Sequence, residues 1–173
     1  RWTNQATAGT RIVAPNRETN HGDVFSFGDV TLRVHHYGQA HTPGDICIEV
    51  VEDQLTHVGD VAMDRRIANM DDGSYVGTFR FYDELEKNAP SRIWVPGHGH
   101  ASAEVLKWNR ELFEGIYQNC VRAVENGADM ASARERVLAD PRVASRAVDT
   151  AGFASNIGKY VSLAYLEAER EAF

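Results

Sequence analysis

Apolar and polar residues alternate along much of the first half of the chain. In the run 30–37, Val30, Leu32 and Val34 share one face of an extended segment, while Thr31, Arg33 and His35 share the other. This period of two predicts a half-buried strand. The run 24–27 precedes it, and Gly28-Asp29 between the two predicts a hairpin turn. Residues 46–51 and 55–58 predict a second strand pair, joined by the polar turn Glu52-Asp53-Gln54. Residues 11–15 read as a short strand stopped by Pro15, and residues 92–95 as another that ends at Pro96-Gly97.

The period changes in the second half. Tyr75, Phe79, Tyr82 and Leu85 recur at helical spacing and predict an amphipathic helix over 74–88. Val105, Leu112, Ile116, Cys120 and Val124 carry the same pattern across 102–126, with Gly127 as its stop. Residues 129–139 predict a shorter helix that ends before Pro141. Ile157, Val161, Ala164, Tyr165 and Ala168 predict a last helix, capped by Asn156. The expected fold class is therefore α/β: a mixed sheet through residue 95 with helices on its outer face, then a helical cover.

Composition narrows the function classes. The 173 residues are 43% hydrophobic and 25% charged, which fits a globular chain and excludes wholesale disorder. The net charge of −7 argues against a nucleic-acid partner that would need phosphate contacts. No apolar run approaches the roughly 18 residues of a membrane span. Cys47 lies in an apolar strand-like run and Cys120 on a helix face, so both read as buried thiols, with a disulfide as the lesser alternative. The chain opens on Arg1 without a basic-then-apolar leader, which implies a processed protein or a piece of a longer one. A soluble protein is expected, with cytoplasm and periplasm both left open.

Three residues of ligand type stand at strand ends. His41 leads the turn Thr42-Pro43-Gly44, Asp60 follows Val58-Gly59, and His98 lies in Pro96-Gly97-His98-Gly99-His100. Imidazole suits zinc or iron, and a carboxylate can bridge two ions. His35 and His36 point to opposite strand faces, so at most one faces the core. His57 reads as a packed or half-exposed strand residue and His21 as a turn residue. His100 and Arg66 are candidates for contact with an anionic substrate, Arg65 beside them; the plainer reading of the arginine pair is a solvated loop.

The order His-Thr-Pro-Gly-Asp at 41–45, Val-Gly-Asp at 58–60 and Val-Pro-Gly-His-Gly at 95–99 resembles the later half of the metallo-β-lactamase superfamily. The stretch 10–17, the hairpin ending His36-Tyr37-Gly38 and the closing run 160–169, extending to Phe173, are also similar to it. That closing run resembles the branch near the quinoprotein-relay and sulfur-oxidation-associated metallohydrolases. The resemblance implies the later half of an αββα sandwich over residues 1–126 and a C-terminal helical extension over 127–173. It implies two zinc ions, with iron or manganese as alternatives, held by His41, Asp60 and His98, Asp60 bridging. The second ring nitrogen of each histidine is expected to meet an acceptor. The implied activity is hydrolysis of an ester, thioester, amide or similar bond of a small molecule by a metal-bridging hydroxide.

One departure is large. The family motif H-x-H-x-D-H, which brings further ligands and the water-orienting aspartate, does not occur in this chain. Two protein ligands per ion is below the usual number for zinc. A missing N-terminal half or a second chain is therefore expected to complete the site. The alternative is a catalytically incomplete half-domain that acts as a packing module in a homo-oligomer.

Overall fold

The computed structural model describes residues 8–67 and 70–172. Five strands form one sheet: β1 Val24–Phe27, β2 Val30–His35, β3 Cys47–Val50, β4 Leu55–Gly59 and β5 Ile93–Pro96. They lie in the order β1-β2-β3-β4-β5. Neighbours are antiparallel except β4 and β5, which run parallel. Among the described residues five helices follow in chain order: α1 Tyr75–Asn88, α2 Val105–Glu125, α3 Met130–Ala139, α4 Pro141–Ala147 and α5 Phe153–Ala172. The parallel pair is joined through α1, as a crossover connection requires.

Register sorts the sheet into two faces, because directly paired residues point the same way. Arg33, Glu49, Thr56 and Trp94 share one face. Glu49, Thr56 and Trp94 are buried there, beside Cys47 and Val58. Phe81, Tyr82 and Leu85 of α1 and Val105 and Leu106 of α2 pack with Cys47, Val58 and Trp94 in one core cluster. The other face carries Phe25, Leu32, Val50, Leu55 and Ile93 in one row and Val34, Ile48, His57 and Val95 in the next. On this face Val34 is buried, while Phe27 and Ile93 stay exposed.

A second core cluster lies among the helices. Leu112, Phe113, Ile116 and Cys120 of α2 meet Ala133 and Val137 of α3, Val143 of α4, and Phe153, Ile157, Tyr160 and Val161 of α5. Asp140 ends α3 and caps α4, accepting a hydrogen bond from the Arg142 N–H at 2.9 Å. The Arg142 guanidinium holds the Asp140 carboxyl down to about 2. Glu167 of α5, also buried, accepts from Ser74 Oγ at 2.6 Å and the Tyr75 N–H at 2.7 Å, so α5 caps the start of α1. Among the described residues no helix is long and apolar enough to cross a membrane.

Several expectations need correction. Residues 11–15 form no strand; Ile12 is 96% exposed and finds no strand to pair with. A helix begins at Pro141, where only the stop of the preceding helix is expected. Proline at the first helical position lacks an N–H that a helix would not use there, so it starts α4 as readily as it ends α3. The last helix begins at Phe153, and Asn156 sits inside its first turn with Nδ2 donating to the Gly152 carbonyl at 2.8 Å. Phe173, the end of the expected closing run, lies outside the described residues. Both cysteines are free and buried, which leaves no disulfide. Burial pushes the Cys120 thiol up to about 12 and also raises that of Cys47. His35 is the member of the pair that faces the core, bonded to Glu49 at 3.0 Å and to Tyr37 Oη at 2.9 Å. His57 is exposed.

Candidate metal centre

The sheet topology gathers the three strand-end residues. β2 and β4 both run antiparallel to β3, and β5 runs parallel to β4. The C-terminal ends of β2, β4 and β5 therefore lie at one edge of the sheet. His41 follows β2, Asp60 follows β4 and His98 follows β5.

Each is fixed by its local backbone. The turn after His41 is closed by Asp45, whose carboxylate accepts from the Thr42 N–H at 2.7 Å and from Thr42 Oγ1 at 2.9 Å. Ala40, just before it, accepts from the Ser74 N–H at 2.8 Å, which ties this segment to the start of α1. Asp60 follows Gly59, which has φ +54 and sits at an irregularity in the β4–β5 register. A positive φ of this kind favours glycine. The His98 loop is bound to the Asp60 loop by the Gly97 N–H, which donates to the Gly59 carbonyl at 2.7 Å. A Cβ at position 97 would stand 2.0 Å from Asp60 Oδ1, so glycine there is what lets the carboxylate lie against the loop.

Asp60 stands between the two imidazoles. His41 Nε2 is 3.6 Å from Asp60 Oδ2, and His98 Nε2 is 3.8 Å from Asp60 Oδ1. Each carboxylate oxygen thus faces a different ring. Both separations are too long for a hydrogen bond. Two ligand atoms on one tetrahedral zinc ion, each at roughly 2.0–2.1 Å, stand about 3.3–3.4 Å apart, and both pairs are a few tenths of an ångström wider than that. In kind, two imidazoles and a carboxylate suit zinc. In number they fit half of a zinc centre: among the described residues, no group of three or more His, Cys, Asp or Glu side chains is placed to hold a metal ion. Exposure rises across the site, from 17% at the His41 side chain to 38% at Asp60 and 48% at His98. The acceptor expected behind each ring is missing at His41, whose Nδ1 is buried without a hydrogen-bond partner among the described residues.

His100 lies two residues beyond His98 and is exposed, with its backbone N–H bonded to Asp64 Oδ2 at 3.0 Å. Arg66 is also exposed; its backbone bridges to Ala151, which ties it to the turn before α5. Sequence reasoning passed over Asp64. The residue sits in an Asp-Arg-Arg run that reads as a solvated loop, and only the folded loops show what it touches.

No protein-family model matches the sequence, and no curated protein matches it. Solved structures do. The metallo-beta-lactamase from Pontibacter korlensis is 18% identical, with a TM-score of 0.55 over 64% of this chain and 54% of that one. The crystal structure of VMB-1 at pH 5.5 is 19% identical, with a TM-score of 0.47 over 56% of this chain and 46% of that one. The chain thus spans about half the length of the solved structures it matches. A likeness at this identity is one of fold, and the chain has the mixed α/β fold of the metallo-β-lactamases.

Proposed function

We propose that this chain contributes His41, Asp60 and His98 to the dinuclear zinc centre of a metal-dependent hydrolase acting on an ester, thioester, amide or similar bond of a small molecule. The observation that carries the reading is the placement of Asp60, with one imidazole opposite each carboxylate oxygen. Zinc, when bound at such a site, supplies a Lewis acid and a hydroxide at neutral pH. The chain's own residues do the holding. Asp60 would serve both ion positions, His41 one of them and His98 the other. The nitrogen and oxygen donors would also accept iron or manganese. His100 and Arg66, exposed on the loops after β5 and β4, are proposed to contact an anionic part of the substrate.

Two ligands per ion call for more, and a missing N-terminal half or a second chain is proposed to bring them. Zinc titration of His41→Ala and His98→Ala by calorimetry tests the division of labour. Each substitution should remove about half of the zinc taken up by the unaltered chain. Unchanged uptake in both would overturn the reading.

A second reading is favoured by one observation. On the sheet face opposite the Cys47–Val58–Trp94 core, Phe27 is 63% and Ile93 42% exposed, which suits a layer packed against another sheet. On that reading the chain is a packing module, and sedimentation should show association through this face without any need for zinc.

A further inference from the structure

We propose that Asp64 is a positioning residue for the metal centre: it clamps the His98 loop to the Asp60 loop without touching a metal. The assignment rests on the metal-centre reading above. Asp64 lies four residues past Asp60 on the loop after β4, and its side chain is 19% exposed. It grips the facing loop on both sides of Gly99. The Asp64 N–H donates to the His98 carbonyl at 2.9 Å, and Asp64 Oδ2 accepts from the His100 N–H at 3.0 Å. Gly99, with φ +92, makes room for the grip: a Cβ there would stand 2.5 Å from the Asp64 carbonyl oxygen and 2.6 Å from Asp64 Cβ.

The clamp is itself anchored in the core. Tyr82 Oη of α1 donates to the Val61 carbonyl at 2.8 Å. Buried Asn109 of α2 accepts from the Met63 N–H at 3.2 Å and donates to the Met63 carbonyl. Rigid helices therefore hold residues 61–63, and Asp64 passes that rigidity to the His98 loop. The need is specific to His98. Its ring is half exposed and, among the described residues, makes no hydrogen bond of its own. Its backbone must fix where Nε2 points, and the Asp64 carboxylate supplies a charge-assisted bond for that purpose. Removing a group that orients a ligand typically lowers metal affinity about 10- to 100-fold.

The test compares the unaltered chain with Asp64→Ala and Asp64→Asn, using two nuclear magnetic resonance readouts. The first is exchange of the His100 backbone amide in the metal-free chain. The second is titration of the histidine ring signals with zinc chloride alone. Asp64→Ala should speed His100 exchange and raise the zinc midpoint of the His98 ring about tenfold. Asp64→Asn keeps an acceptor oxygen and should restore both to within about twofold. Gly99→Ala, which pushes on Asp64 from the other side, should move the midpoint in the same direction and serves if the alanine variant at 64 does not fold. An unshifted His98 midpoint in Asp64→Ala and Gly99→Ala overturns the assignment, even if His100 exchanges faster. An unaltered chain whose His41 and His98 rings both ignore zinc overturns the metal-centre reading, and the assignment with it.

Discussion

Replacing Gly97 with alanine puts a methyl carbon where the fold leaves no room. An ideal Cβ at that position stands 2.0 Å from Asp60 Oδ1, 2.8 Å from the Gly59 carbonyl carbon and 3.0 Å from Asp60 N. Ordinary carbon contacts begin near about 3.5 Å. The carboxylate can rotate out of the way, but it then leaves its place between the two imidazoles. The Gly59 and Asp60 backbone can retreat only by parting β4 from β5, since the Gly97 N–H donates to the Gly59 carbonyl at 2.7 Å. Either route damages the site, and the second also strains the sheet. Overpacking of this kind costs about 1–3 kcal/mol. In a chain of this size, 1 kcal/mol lowers the melting temperature by about 2–4 °C, so Gly97→Ala should melt roughly 2–12 °C lower. Gly44→Ala is the matched control, because nothing lies within 4 Å of its Cβ in the turn after His41. Calorimetric melting of both variants, followed by zinc titration, is the assay. Gly97→Ala should lose stability, zinc uptake or both, while Gly44→Ala keeps them. A Gly97→Ala chain that melts and binds zinc like the unaltered protein would refute the reasoning.

Glu167→Ala should destabilise the chain by about 1–3 kcal/mol in urea unfolding, because it leaves the buried Tyr75 N–H and the Ser74 hydroxyl without their acceptor. Glu167→Gln, whose carbonyl still accepts, should recover part of the loss, and an alanine variant of full stability would contradict the capping role. The Asp140 carboxyl is held down to about 2 by hydrogen bonds from Arg142. A depressed carboxyl contributes stability above its unfolded value of about 3.9 and loses it as pH falls through the folded value. The advantage of the unaltered chain over Asp140→Asn should thus be full at about pH 6 and gone near about pH 2. Melting curves across that range check this, and a gap that persists in acid would contradict it.

Local chemistry made part of this molecule legible. The hairpin at Gly28-Asp29 and the strand pair around residues 51–54 follow from alternation and turn residues, which act over a few positions. His41, Asp60 and His98 were singled out by their strand-end turns together with a family resemblance, and the sheet topology brings those strand ends to one edge. Residues 11–15 have strand-like composition, but a strand needs a partner, and pairing is not written in a single segment. Pro141 was ambiguous because it both stops one helix and starts another. Asp64 and Gly97 were invisible because their roles depend on contacts between loops about 30 residues or more apart. The missing acceptor behind His41 Nδ1 belongs to the same class, a tertiary fact with no local sign.

The most direct measurement is native mass spectrometry of the chain and of Asp60→Ala, each equilibrated with excess zinc. Because one carboxylate faces both imidazoles, its loss should weaken zinc binding at both positions at once, so Asp60→Ala should retain clearly less zinc than the unaltered chain. An Asp60→Ala chain with the same zinc content as the unaltered one would contradict the central claim that Asp60 joins His41 and His98 into one metal centre.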